Sequence, residues 1–208
     1  MKKILLSFSL LGLTLFGANA QDKEEIGNNG FLAFNYSISG GLGSLNEYIG
    51  KPSFRGFNFD YRRRLNEHVS AGVMLGWTHF YEKLDRAEYQ APDNPNVTVN
   101  AVQSRKVSAM PITLQGHYYF VNSSGIEPYL GFGMGAYRME YEKWWGAVQD
   151  RDDTWKFGIN GQFGATIPIT KDYIGLNVGM VYHWIPYEYN ELDGTSFLNL
   201  NLGLYLNF

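Results

Sequence analysis

The sequence contains no cysteine, which excludes a disulfide framework, a thiolate metal site and acylation at a lipoprotein cysteine. It also lacks a strong charge of either sign. The net charge of -3 gives no basic footprint for nucleic acid. Beyond residue 20 there is no apolar run long enough for a membrane-spanning helix, and mean hydropathy is below zero. What the chain has instead is fifteen Tyr, fourteen Phe and twenty-four Gly. That mixture suits a wall that is apolar on one face and polar on the other.

The first twenty residues stand apart. Lys2 and Lys3 precede an apolar stretch from Ile4 to Phe16, and Ala18-Asn19-Ala20 supplies small residues for cleavage. This is the layout of a secretory signal peptide, too short in its apolar part to span a bilayer as a helix. Cleavage is expected after Ala20, leaving Gln21 at the mature N-terminus. Residues 21–30 are polar and read as a short periplasmic lead-in, and 31–208 as one domain.

That domain divides into eight segments of alternating character. The first puts Leu32, Phe34, Tyr36 and Ile38 on one face and Ala33, Asn35, Ser37 and Ser39 on the other. The second sets Phe57, Phe59 and Tyr61 against Asn58, Asp60 and Arg62, and the third sets Val73, Leu75 and Trp77 against Met74, Gly76 and Thr78. Segments four to seven repeat the pattern near Val107–Phe120, Tyr129–Tyr141, Trp155–Ile167 and Ile174–Trp184. The eighth is the clearest: Leu198, Leu200, Leu202, Leu204, Leu206 and Phe208 alternate with Asn199, Asn201, Gly203, Tyr205 and Asn207.

Segments of about ten residues match a tilted strand crossing a bilayer. The connectors alternate in length, short near His68, Pro128 and Tyr173 and longer elsewhere. The longest is expected over Glu82–Lys106, and Glu142–Asp153 is a second long loop. Aromatic residues collect at both ends of the apolar stretches, with Trp77, Trp155, Tyr182 and Trp184 at one end and Tyr61, Tyr118, Phe120 and Phe208 at the other. Tyr and Trp favour the headgroup layer. In hydrocarbon a sheet edge is intolerable, so the sheet must close. The reading is an eight-stranded antiparallel up-and-down transmembrane β-barrel. Its interior is expected to be filled by glycines and by paired Asn58, Asp60, Arg62, Gln115, His117, Lys156 and Asn160.

The end of the chain, Asn201-Leu-Gly203-Leu-Tyr-Leu206-Asn-Phe208, resembles the C-terminal signal read by the barrel-assembly machinery. Asn201, Gly203, Leu206 and Phe208 occupy the matching positions. The mature chain as a whole is similar to the small outer-membrane barrels typified by the barrel of outer membrane protein A and by outer membrane protein X. Pro128-Tyr-Leu-Gly-Phe-Gly-Met-Gly135 is also typical of them. The resemblance implies an integral Gram-negative outer-membrane protein, surrounded by lipid and lipopolysaccharide. It implies assistance from the assembly machinery and periplasmic chaperones, and a monomeric state. It does not name an activity, because the fold hosts many.

Chemical motifs are few. Gly131, Gly133 and Gly135 recur every second residue within a strand and open no helix, so they are packing glycines, not a phosphate loop. Gln149-Asp150-Arg151-Asp152-Asp153 lacks the spacing of a calcium loop and reads as a solvated tip. Some similar barrels are lipid A deacylases that use a His and a Ser two residues apart on the lipid face. His68-Val-Ser70 has that spacing but sits by a short turn, on the side away from the outer leaflet. His79, His117 and His183 have no Ser or Thr two residues later. His117 and His183 read as hydrogen-bonded interior groups. No catalytic, metal or cofactor site is assigned. The expectation is a non-enzymatic barrel that supports the envelope or presents its long loops. The rivals are a narrow channel for small solutes and a lipid A-modifying enzyme.

Overall fold

A computed structural model describes residues 30–91, 94–120, 125–146, 148–170 and 173–208. The expected signal peptide, its cleavage residues Ala18 and Ala20, and the lead-in up to residue 29 lie outside the described residues. So do the first three residues of the Asn122-Ser123-Ser124-Gly125 cluster, which the sequence marks as a turn.

Eight antiparallel strands, β1 (Gly30–Leu42), β2 (Ser53–Arg64), β3 (Val69–Ala91), β4 (Asn94–Tyr119), β5 (Glu127–Trp145), β6 (Val148–Pro168), β7 (Ile174–Ile185) and β8 (Thr195–Asn207), form a closed barrel in sequence order. A short helix, α1 (Ser44–Tyr48), lies in the β1–β2 connection. The ring shuts where β1 pairs with β8, from Phe31 opposite Asn207 to Leu42 opposite Ser196. The amide of Gly30 donates to the carbonyl of Phe208 at 2.7 Å, and the amide of Phe208 donates to Gly30 at 2.8 Å. No sheet edge is therefore left at the seam, as hydrocarbon requires.

The period-two reading is correct on every strand. Phe34, Phe59, Leu114, Phe157 and Leu202 face outward and are exposed, whereas Asn35, Asn58, Gln115, Asn160 and Asn201 are buried inside. Exposed apolar residues on every strand would be a liability in water; here they form the lipid-facing surface.

Strand length differs from the expectation. The Glu82–Lys106 and Glu142–Asp153 regions are not loops. β3 and β4 stay paired past Glu82 opposite Arg105 to Ala91 opposite Asn94, and β5 and β6 stay paired to Trp145 opposite Val148. Their neighbours stop earlier. β2 leaves β3 at Gly56 opposite Thr78, and β7 leaves β6 at Ile159 opposite Trp184. A four-stranded sheet, β3–β6, thus rises beyond the barrel. The segments are polar but still alternate, and backbone pairing is a better partner for a polar strand than an unpaired loop.

Candidate functional site

The interior of the barrel is the first place a function would show, and it is filled with linked polar groups. Tyr129 donates to Asn177 (3.1 Å), Asn177 to Asn35 (2.8 Å), Asn35 to Asn58 (2.8 Å), Asn58 to Ser37 (3.2 Å) and Ser37 to Asn201 (2.6 Å). This chain of donors crosses the lumen from β5 through β7, β1 and β2 to β8. A second line joins His117 to Gln162 (3.1 Å), Gln162 to Asn160 (2.9 Å), Asn160 to Tyr137 (3.2 Å) and Tyr137 to His183 (3.0 Å). Both histidines are thus hydrogen-bonded interior groups, as the sequence suggested.

One ion pair is embedded among them. Arg62 donates through Nε to Asp60 at 2.9 Å and through a terminal nitrogen to Tyr119 at 3.1 Å. Its guanidinium carbon lies 4.3 Å from the ring centroid of Tyr129 and 4.8 Å from that of Phe31. A planar, weakly hydrated cation can stack on aromatic faces while its rim is paired, which is why Arg suits this position. Lys156, expected among these groups, is instead only half-buried at the upper part of β6.

His68-Val-Ser70 does not make a lipid-facing pair. Ser70 is fully buried and points inward, 3.5 Å from His117 Nδ1. His68 lies at the turn and reaches the carbonyl of Tyr119 at 3.1 Å.

Above the polar interior the chemistry changes. Leu45 and Ile49, from α1 and the residue after it, pack with Phe80, Tyr137, Ile185 and Leu192 in a buried apolar cluster at the mouth. Fully burying a side chain such as Leu or Ile contributes about 1.5–3 kcal/mol, so α1 is driven into the opening by its own sequence. The β7–β8 connection closes the other half. Asn190 and Glu191 form a two-residue turn, with Tyr189 and Leu192 exchanging backbone hydrogen bonds at 3.0 and 2.9 Å. Asn190 has φ 48°, a conformation that Asn tolerates well.

Side chains then tie this lid to the raised sheet. Glu191 accepts from Tyr141 at 2.8 Å and pairs with Lys143. Tyr187 donates to Asp152 at 3.0 Å, Tyr189 to Asp150 at 2.7 Å, and Asn190 to Asp150 at 2.6 Å. The acidic tip at residues 150–152 is therefore an anchor, not the solvated loop that its composition suggested. Burial alone would raise the Glu191 carboxyl, but hydrogen bonds from Lys143 and Tyr141 hold it below the usual range. The Asp150 carboxylate pushes the Tyr189 phenol up to about 12.

Sequence reasoning missed this closure because its parts are far apart in the chain. Tyr48, Tyr141 and Tyr187 carry no spacing motif. The one available signal was the apolar pattern Leu45, Tyr48, Ile49 within an otherwise polar connector.

The residues matching the assembly signal lie as follows. Asn201 faces inward and accepts from Ser37, while Leu206 and Phe208 face outward and are exposed. Gly203 sits so close to β1 that a Cβ would strike the carbonyl oxygen of Phe34, so only glycine fits there.

A closed eight-stranded ring, a lipid-facing apolar exterior and a hydrogen-bonded polar interior define an integral outer-membrane β-barrel. The chain belongs to the outer membrane protein β-barrel domain family, whose model matches residues 8–208. A search of curated proteins finds no match. Among solved structures, Neisserial surface protein A is similar, with a TM-score of 0.57 at 15% identity, covering 86% of this chain and 97% of that one. Ail, the attachment invasion locus protein of Yersinia pestis, has a TM-score of 0.50 at 13% identity, covering 88% and 100%. At these identities the likeness concerns the fold.

Proposed function

We propose that the chain is a non-enzymatic, non-conducting outer-membrane barrel that presents its raised β3–β6 sheet to partners outside the cell. The observation that carries this is the pairing of β3 with β4 out to Ala91, well after β2 has left β3 at Thr78. At about 3.4 Å per residue, that is a projection of roughly 40 Å along the strand. A filled interior and a tied-down lid beneath it leave the sheet as the part with an open surface. The expected lipid surroundings, monomeric state and help from assembly factors belong to the same reading, with Asn201, Gly203, Leu206 and Phe208 as the assembly signal.

The test removes the projection and keeps the barrel. Excising Lys83–Ser104 and joining Glu82 to Arg105, which face each other across the ladder, with an Asn-Gly turn preserves the register. Cells carrying this variant are expected to keep a folded barrel and lose surface attachment. Unchanged attachment and unchanged envelope resistance would defeat the proposal. In a planar bilayer both proteins are expected to be silent, and regular conductance steps would instead favour the narrow channel.

A further inference from the structure

The outward surface just above the apolar band is not uniform. On β5 and β6, opposite charges neutralise one another. Arg138 pairs with Asp153 at 2.6 Å, Arg151 with Glu140 at 2.6 Å, and Lys106, reaching across from β4, with Glu142 at 3.2 Å.

The β2–β4 side is different. Next along the outward face after Phe57 on β2 and Trp77 on β3 come Arg55 and His79, with the exposed Tyr81 above His79. Past Met110 on β4 comes Ser108, and His79 stands directly opposite it. His79 Nδ1 and Ser108 Oγ are 2.8 Å apart, and the imidazole stacks on Trp77 with centroids 5.5 Å apart and planes 13° from parallel. The ring is thus fixed by two contacts. Its Nε2 has no hydrogen-bond partner among the described residues, and Arg55 makes no ion pair among them. Between Trp77 and Lys83 on β3, and between Ser104 and Met110 on β4, the outward residues include Lys83 and Lys106 and no carboxylate.

We infer that Arg55, His79 and Ser108, with Lys106 at their edge, form a binding site for the phosphate group of an outer-leaflet lipid. Three features support a lipid over a soluble anion. The site faces away from the barrel axis, it borders the apolar surface of Phe57 and Trp77, and it lies on the raised-sheet side, where the outer leaflet's headgroups meet the protein. A phosphate seated there accepts from the Arg55 guanidinium and from His79 Nε2, while its acyl chains follow the exposed Phe57 and Phe59 down β2.

Burial, followed by the charges of Arg55 and Lys106, holds the His79 imidazole below its ordinary pKa; Glu140 and Glu142 oppose this more weakly. Lys106 and the neighbouring Glu140 are already paired, with Glu142 and Arg151, so Arg55, which has no ion pair among the described residues, is the charge that a bound phosphate neutralises. Phosphate binding is expected to raise the His79 pKa, a readout separate from binding itself.

The test uses the full barrel in lipid nanodiscs with lipid A as probe, bisphosphorylated or enzymatically dephosphorylated. Native mass spectrometry should show preferential retention of the phosphorylated form, falling about tenfold in Arg55→Gln and in His79→Gln, the loss of about one charge-assisted hydrogen bond. Arg63→Gln, on the same strand at the opposite end of the barrel, should keep the wild-type preference. In the wild-type protein the His79 imidazole nitrogen signals should titrate at higher pH with phosphorylated lipid A than without it. This measurement stands even if a variant folds poorly. Equal retention of both lipid forms would overturn the inference. So would an identical His79 shift with inorganic phosphate alone at the same concentration, since that would make the site a receptor for free anions.

Discussion

Arg62 is the residue on which the interior depends most. It is buried to 1% exposure with Asp60 as its one carboxylate partner among the described residues, and removing that partner would leave a guanidinium unpaired away from water. Asp60→Asn is expected to cost about 3–5 kcal/mol, whereas the double change Asp60→Asn with Arg62→Met should be much milder. Urea unfolding of the refolded barrel, followed by tryptophan fluorescence, measures both. On the opposite face of the wall, Leu202 is 58% exposed and meets lipid. Leu202→Arg should cost about 2–4 kcal/mol at the midplane in lipid vesicles. The two substitutions probe the same wall from its two sides, and a one-residue register slip would exchange their environments.

Among the elements, the β7–β8 lid has an electrostatic anchor whose pH dependence follows from Glu191. Its folded pKa is depressed, so its contribution to lid closure is complete above the ordinary value of 4.5 and is lost as pH falls through the lower, folded value. Amide exchange in residues 187–194 is expected to be unchanged between pH 7 and 5, once corrected for intrinsic rates, and to rise only as pH falls below the ordinary carboxylate value, through the depressed folded one. Glu191→Gln should show the loosened lid already at pH 7. The strands themselves were legible in the sequence, because Leu and Asn alternating from Leu198 to Asn207 admit one register. What was not legible was where pairing ends. Glu82, Arg105 and Asp152 look like loop residues by composition, and only their cross-strand partners make them strand and anchor. The lid was hidden for a related reason: Glu191 and Lys143 meet through the fold and share no local pattern. His79 and Ser108 were likewise passed over, since the pair arises from ladder register and not from spacing along one strand.

At the scale of the whole molecule, seven of the eight seams join strands that follow one another in the chain, whereas β1 must find β8. The seven are hairpins that can form locally within microseconds once the strands are in place. The eighth has the largest single loop-closure cost, because it brings together the segments farthest apart in the chain. Substitutions that weaken the seam, such as Asn201→Ala, which removes the acceptor of Ser37, are therefore expected to slow folding into vesicles more than equally destabilising changes at the β5–β6 seam. Folding rates followed by the heat-dependent gel shift of the closed barrel would show the difference. The hydrogen bonds between Gly30 and Phe208 thus carry a kinetic meaning besides their structural one. Until they form, one edge of β1 and one edge of β8 face the membrane interior without partners, so the open sheet is a species that a bilayer penalises and closure removes.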